Sequence, residues 1–223
     1  MSDHAMPDRL LIDSEQAAKD WLRSIPEGST EGFARIERLV AMLVEENAVQ
    51  NLVSAASLDA VWQRHIVDSA QLLTHVPRET SSPWLDLGTG AGFPGLVVAA
   101  LRPECEVVMV ESRSRRIDWL DRVVEALDLP NAHVVGQRLE LVESRTYAVI
   151  SARAFAPLEK LLKLSARFST RDTLFVLPKG RSAGDELAAI KKSSREGFHV
   201  EHSITDAEAG VIVGHLNPKG LKL

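Results

Sequence analysis

The stretch "WLDLGTGAGFPG", residues 84–95, decides how this chain folds. A short apolar run from Trp84 to Leu87, with Asp86 inside it, gives way to glycines at 88, 90, 92 and 95, and then to the helical run "GLVVAALRP". Glycine tolerates left-handed backbone that other residues avoid, so a strand here turns sharply into a helix. Four glycines within eight residues, behind an acidic strand end, exceed what a turn needs, and the loop is read as a ligand site. Two registers overlap in it. Gly90, Gly92 and Gly95 spell G-x-G-x-x-G, the dinucleotide fingerprint, whereas Gly88, Gly90 and Gly92 spell G-x-G-x-G with Asp86 just ahead.

Charge separates the two cofactors these registers imply. A dinucleotide sets its pyrophosphate on the helix N-terminus, where free N–H groups and the helix dipole favour an anion, and Asp86 would repel it. Pro94 also removes one of the N–H donors that a pyrophosphate would use. S-adenosylmethionine brings an ammonium and a sulfonium, which an aspartate can favour electrostatically or through hydrogen bonds. Glu111, ending the run "EVVMVE" 23 residues after Gly88, stands where an acid accepts hydrogen bonds from ribose hydroxyls. That placement suits either cofactor, since both carry adenosine.

Working outward, short apolar runs alternate with helical periods on the C-terminal side. "EVVMVE", "AHVVG", "YAVISA", "TLFVLPKG", "FHVEHSIT" and "GVIVGHL" read as strands; "SRRIDWLDRVVEALDL", "PLEKLLKLSARF" and "SAGDELAAIKKSSREG" read as helices. This alternation predicts an α/β domain, a mostly parallel twisted sheet with helices on both faces, over residues 81–223. In such sheets the ligand lies beyond the carboxyl ends of the strands, at the switch in strand order. On the N-terminal side, residues 1–80 read as a helical region packed on that core. Ile36, Leu39, Val40, Leu43 and Val44 mark one amphipathic helix; Trp62, Ile66, Ser69, Leu73 and Val76 mark another, from an N-cap at Ser57 to a stop at Pro77.

Composition narrows the class. Of 223 residues, 45% are hydrophobic and 26% charged, as in ordinary globular domains. No apolar run approaches the roughly 18 residues that span a bilayer, and the start lacks the basic and apolar regions of a signal peptide. A cytoplasmic protein with no membrane partner is expected, and its single cysteine, Cys105, supports neither an internal disulfide nor a metal cluster. The net charge of −5 hides an asymmetry: residues 1–111 carry 8 basic against 17 acidic side chains, residues 112–223 carry 18 against 14. A basic face on the C-terminal half could grip phosphates, although ordinary solvated charges account for the asymmetry equally well.

"NAVQNL", "HIVDSAQLL", "WLDLGTGAGFPGLVVAALRPE", "GQRLE", "VISARAFAPL" and "PKG", in that order from about Asn47 to Lys179, resemble the RsmG (GidB) family of bacterial small-subunit ribosomal RNA methyltransferases. The glycine loop is shared with many methyltransferases, but the combination with "HIVDS" and "RAF" is more specific. The resemblance implies a Rossmann-like, S-adenosylmethionine-dependent methyltransferase fold with an N-terminal helical extension. It further implies methylation of the N-7 of guanosine 527 in 16S ribosomal RNA, on the RNA or the small ribosomal subunit. By position, Gly88 and Phe93 contact the cofactor from the loop; Gly90, from the glycine pattern, and Asp86, from the charge argument above, are assigned to the same site. Glu111 and Ser112 lie against its ribose and adenine, Leu139 and Glu140 flank the adenine, and Arg153 lines the pocket. Two departures stand out: Ala152 separates Ser151 from Arg153 where the family has Ser-Arg-Ala-Phe, and Gly214 precedes "HL" where an arginine is expected.

Guanine N-7 carries an exposed lone pair, so no catalytic base and no metal are expected; the demand is proximity and orientation. Its product ring is cationic, which puts bare arginines away from the chemistry and assigns Arg138 and Lys179 to RNA phosphates. His65, on the same helix as Trp62 and Asp68, is read as a packing residue. Trp84 is expected to be buried; Phe93 and Phe155 are open to either packing or base stacking. A monomer is expected. Three other functions compete: a small-molecule methyltransferase, which would not need the basic half; a nicotinamide oxidoreductase, disfavoured by Asp86; and an RNA-binding assembly factor without activity, disfavoured by the intact loop.

Overall fold

A computed structural model describes residues 10–80 and 83–216. The chain opens with α1 (Glu15–Ser24) and α2 (Thr30–Asn47), each started by a serine, Ser14 and Ser29, whose hydroxyl accepts a first-turn N–H. After α2 the side-chain oxygen of Asn47 accepts from the N–H groups of Leu52 and Val53, turning the chain towards α3 (Ala55–Leu58).

The second predicted helix of this region is not one regular rod. Ser54 rather than Ser57 caps α3. A π-helical turn over Trp62–Val67 follows, then α4 (Asp68–Ala70) and a 3-10 turn over Gln71–His75. The expected face of Trp62, Ile66, Ser69, Leu73 and Val76 is buried, but so are Val61, Val67, Ala70 and Leu72. Burial on several sides removes the need for a 3.6-residue stripe. Hydroxyl-to-carbonyl bonds from Ser69 to His65 and from Thr74 to Gln71 favour the bent backbone. In α2 the stripe holds at Ile36, Leu39 and Leu43, whereas Val44 is exposed.

From Trp84 the predicted alternation is present in full: β1 (Trp84–Leu87), α5 (Gly95–Leu101), β2 (Val107–Glu111), α6 (Ser114–Ala126), β3 (Ala132–Gly136), β4 (Val149–Ser151), α7 (Leu158–Ser165), β5 (Leu174–Gly180), α8 (Ala183–Ala189), α9 (Lys192–Arg195), β6 (Phe198–His202) and β7 (Gly210–His215). The predicted last helix is broken between α8 and α9. The strands form one sheet in the order β3-β2-β1-β4-β5-β7-β6, parallel except for β7, which runs antiparallel to both neighbours. Strand order reverses between β1 and β4.

Successive strand residues face opposite ways, and the core divides accordingly. Trp84, Met109, Val149 and Val176 join α5, α6 and the N-terminal helices in one buried cluster; Leu85, Val110, Ile150 and Phe175 join α7 and α8 in the other. Every residue of α5 is buried, enclosed between the sheet and the N-terminal helices.

Candidate active site

The four glycines are needed for different reasons. Gly88, Gly90 and Gly92 have φ of 64°, 62° and 103°, the left-handed region where a Cβ is strained. At Gly88 a Cβ would lie 2.4 Å from the Phe155 ring, so the backbone there passes directly under an aromatic side chain. Gly95 serves packing instead, since a Cβ would lie 2.5 Å from Met109 on β2. The G-x-G-x-x-G register is therefore incidental.

Asp86 is fully buried beneath this loop. One carboxylate oxygen accepts from the Gly95 N–H at the start of α5 (3.0 Å); the other accepts from the Ser151 hydroxyl on β4 (2.8 Å), which in turn accepts from the Trp84 indole (2.8 Å). Burial pushes its carboxyl above the usual range, opposed by these hydrogen bonds and by the positive charge of Arg153. Asp86 is expected from the sequence to favour a cofactor cation electrostatically or through hydrogen bonds; with no exposed surface, its carboxylate holds loop, helix and strand together, which leaves the electrostatic route and not a direct hydrogen bond. Its occupation of the α5 N–H also leaves the helix start unsuited to a pyrophosphate. Ser151, just before the extra Ala152, adds a side-chain tie to the backbone pairing of β1 with β4. From the other side, the Trp119 indole of α6 donates to the Ala91 carbonyl (3.0 Å) and braces the loop.

Gly88, Glu111, Ser112 and Leu139 line a single cleft over the carboxyl ends of β1 and β2, together with Arg116, Gln137 and Phe155. Glu111 ends β2, and one of its oxygens accepts from the N–H groups of Ser112 and Arg113 (2.7 and 2.9 Å), while Arg116 stands 3.7 Å from the other. The cleft runs on through Ser112, Leu139 and Phe155 into a groove edged by Arg138, Glu140, Leu141 and Lys160. The 3-10 turn Leu139–Leu141 that forms this wall is held by Arg167, which donates to the carbonyls of Leu139 and Val142.

Three predicted residues lie elsewhere. Phe93 is buried and stacked on His65, with ring centres 5.0 Å apart. Of the two roles left open for Phe93, packing and base stacking, its burial favours packing. Arg153 sits on the far side of the loop, over the Phe93 ring (5.1 Å), and donates to the Arg64 carbonyl, Asp68 and His65 Nδ1 at 3.1–3.3 Å. Lys179 is not a free surface cation: its side chain is 8% exposed and donates to the Ala156 carbonyl (2.6 Å) and Glu186 (2.9 Å). Gly90 remains at the loop surface, where a Cβ would approach only Arg116, at 3.4 Å, and the Gly88 carbonyl. Trp84 is buried, as expected. The cluster of Arg64, His65, Asp68 and Arg153 went unseen as a unit in the sequence; the signal available was "RHIVD" with both charges and a histidine on one turn.

A seven-stranded sheet in this order, with a glycine loop after β1 and an acid ending β2, defines a Rossmann-like methyltransferase fold. A structure titled as a fibrillarin/Nop5p complex matches with TM-score 0.54 and 14% identity over 70% of this chain and 82% of its own. A structure titled as a SAM dependent methyltransferase from Aquifex aeolicus matches with TM-score 0.52 and 14% identity over 76% and 97%. The chain belongs to the GidB family, described as rRNA small subunit methyltransferase G, whose model matches residues 33–210. It is 63% identical over 82% of its length to the ribosomal RNA small subunit methyltransferase G of Erythrobacter litoralis, covering 88% of that protein, and 54% identical over 93% to that of Novosphingobium aromaticivorans, covering 90%.

Proposed function

We propose that this enzyme transfers a methyl group from S-adenosylmethionine to the N-7 of guanosine 527 in 16S ribosomal RNA, acting in the cytoplasm as a monomer on the small ribosomal subunit or its RNA. The observation that carries the cofactor assignment is the cleft over β1 and β2, where backbone that only glycine suits meets Glu111. Family membership carries the substrate.

Within that cleft, the strained Gly88 backbone lets a ligand lie against the chain without a Cβ in the way. Glu111 keeps one oxygen for its own loop and presents the other as an acceptor for ribose hydroxyls. Leu139 and Phe155 supply apolar walls for an adenine ring, and Ser112 and Glu140 stand at its edge. Bound there, the cofactor supplies an electrophilic methyl group, and transfer forms the N–C bond as the C–S bond breaks with its electron pair left on sulfur. Because N-7 needs no deprotonation, the protein's task is to hold the acceptor nitrogen in line and keep water out.

Arg138 is exposed, has no ion pair among the described residues and edges the groove, which favours it for RNA phosphates. Lys179 is withdrawn from that role by its buried pairing. The deciding experiment incubates the protein with S-adenosylmethionine and undermethylated small subunits, or naked 16S RNA, and maps the modified nucleotide. A new 7-methylguanosine at 527 is expected; methylation at another nucleotide, or tight NADH binding, refutes the reading.

A further inference from the structure

Two clefts lie along the rim of the sheet, and their charges are arranged differently. Around Arg153, over the ends of β5 and β7, the charges close on one another: Arg153 pairs with Asp68 at 3.3 Å and Arg64 with Asp206 at 3.4 Å. The groove that continues the cofactor cleft keeps its cations free. Arg138 and, on α7, Lys160 edge it, both exposed and neither in an ion pair among the described residues; Arg113, in the cofactor cleft, is likewise exposed and unpaired. Glu140 is the one carboxylate lining that groove.

Beside Arg138, the 3-10 turn Leu139–Leu141 carries a leucine outward. Leu139 and Val142 turn into the core, at 7% and 6% exposed, whereas Leu141 is 70% exposed. Past residue 50 it is the sole exposed large apolar side chain among the described residues. A single exposed leucine is ordinary on a protein surface, but this one is set on a held backbone. Arg167 donates to the carbonyls of Leu139 and Val142, on both sides of it, and its guanidinium lies over the ring of the fully buried Phe168. The turn thus presents Leu141 firmly at the mouth of the cofactor cleft, one wall of which is Leu139.

Guanine N-7 lies on the major-groove edge of its base. In A-form RNA that groove is deep and narrow, and side chains do not read it. In-line attack from a stacked guanosine therefore requires the base to swing out and enter the cleft, which costs its stacking. Apolar side chains that enter a base step from a protein surface offset such a loss, and cations hold the phosphates alongside. We propose that Leu141 is such a wedge: it enters the RNA base stack as the target guanine leaves, while Arg138 and Lys160 hold the phosphates beside the gap. It touches neither the cofactor nor the reacting atoms and is a positioning residue. The inference rests on the guanosine reading above and deepens it by naming how the base is brought out of its stack.

Leu141→Ala removes the wedge from an exposed position, so Tm should stay within about 2 °C of wild type. On small subunits, or on naked 16S RNA where that is the form methylated, its kcat/KM is expected to fall at least about tenfold, with S-adenosylhomocysteine affinity changed less than about twofold. Leu141→Met, which keeps an apolar side chain of similar volume, should restore most of the rate. A second substrate carries an abasic nucleotide beside the one mapped as methylated, on either side in turn. There the stack is already broken, and Leu141→Ala should come within about threefold of wild type on at least one of the two. Undiminished kcat/KM in Leu141→Ala overturns the wedge, as does a matching fall in cofactor affinity, or a loss of the same size on both abasic RNAs. Wild-type protein that methylates no guanosine refutes the guanosine reading and the wedge with it, an outcome distinct from activity that ignores Leu141.

Discussion

Ser151→Ala tests the polar chain beneath the glycine loop. The hydroxyl accepts from Trp84 and donates to Asp86, and both partners are 0% exposed, so water cannot take its place. Its removal strands an indole N–H and takes a donor from a buried carboxylate. Each of the two groups left short costs about 1–3 kcal/mol, so the variant should lose roughly 2–6 kcal/mol near neutral pH. In a chain of this size that corresponds to a Tm lower by about 4–24 °C. The Asp86 share carries a pH signature. Its folded-state carboxyl is raised above the ordinary value, so its contribution is an opposing one that is absent at low pH and grows as pH rises towards the folded value. Losing a donor to the charged form raises that value further. The deficit should therefore be smallest at low pH and grow as pH rises through the raised folded-state value. Urea melts of both proteins across a pH series, followed by tryptophan fluorescence, read it directly. A deficit below about 0.5 kcal/mol, or one that does not change with pH, would refute the chain as described.

Gly88→Ala should drive the Phe155 ring into the cofactor cleft and weaken S-adenosylhomocysteine binding at least about tenfold in calorimetry. Gly180→Ala, at a similar φ of 57° but with no atom within 4 Å of the added carbon, should cost stability and leave that affinity alone. Lys179→Ala should lower stability by about 3 kcal/mol by breaking a buried pair, and leave the salt dependence of RNA binding unchanged; a shallower salt slope would restore its phosphate role. Arg138→Ala should reduce the salt slope of RNA affinity by about 1. Burial, reinforced by Arg153 and Arg64, holds the His65 imidazole down at about 3, so kcat/KM should show no histidine break between about pH 6 and 8; one near 6.5 that His65→Gln removes would make it a base.

How legible all this was depends on distance along the chain. Trp84 to Gly95 contains its own explanation: a strand, three left-handed glycines and a helix start adjoin, and local chemistry dictates them. Glu111 is legible too, because strand length and helix length set its position on the rim. The partners of Asp86 were not, since Ser151 lies 65 residues away and becomes adjacent only when β4 pairs with β1. Lys179 looked like a cation ending a strand; the Glu186 beside it is one helical turn into a helix whose docking no periodicity reveals. Residues 57–76 showed which side chains are buried but not the backbone that buries them, because a π-helical turn leaves an apolar face nearly where an α-helix would.

The cleft around Arg153 joins residues 57–68 to residues 203–211, and close by the Ile12 N–H donates to the Ile204 carbonyl at 2.7 Å. The two ends of the described chain are thus fastened at one place. A ribosome adding about 5–20 residues per second takes roughly 10–40 s to travel from the first of those residues to the last. Through that interval the helices made first have no closing strand to meet, and the glycine loop is synthesised long before the far wall of the rim. A copy released before Gly210 would carry every lining residue of the cleft over β1 and β2 and lack the whole of β7, and with it Gly210 and Val211 of the cleft around Arg153.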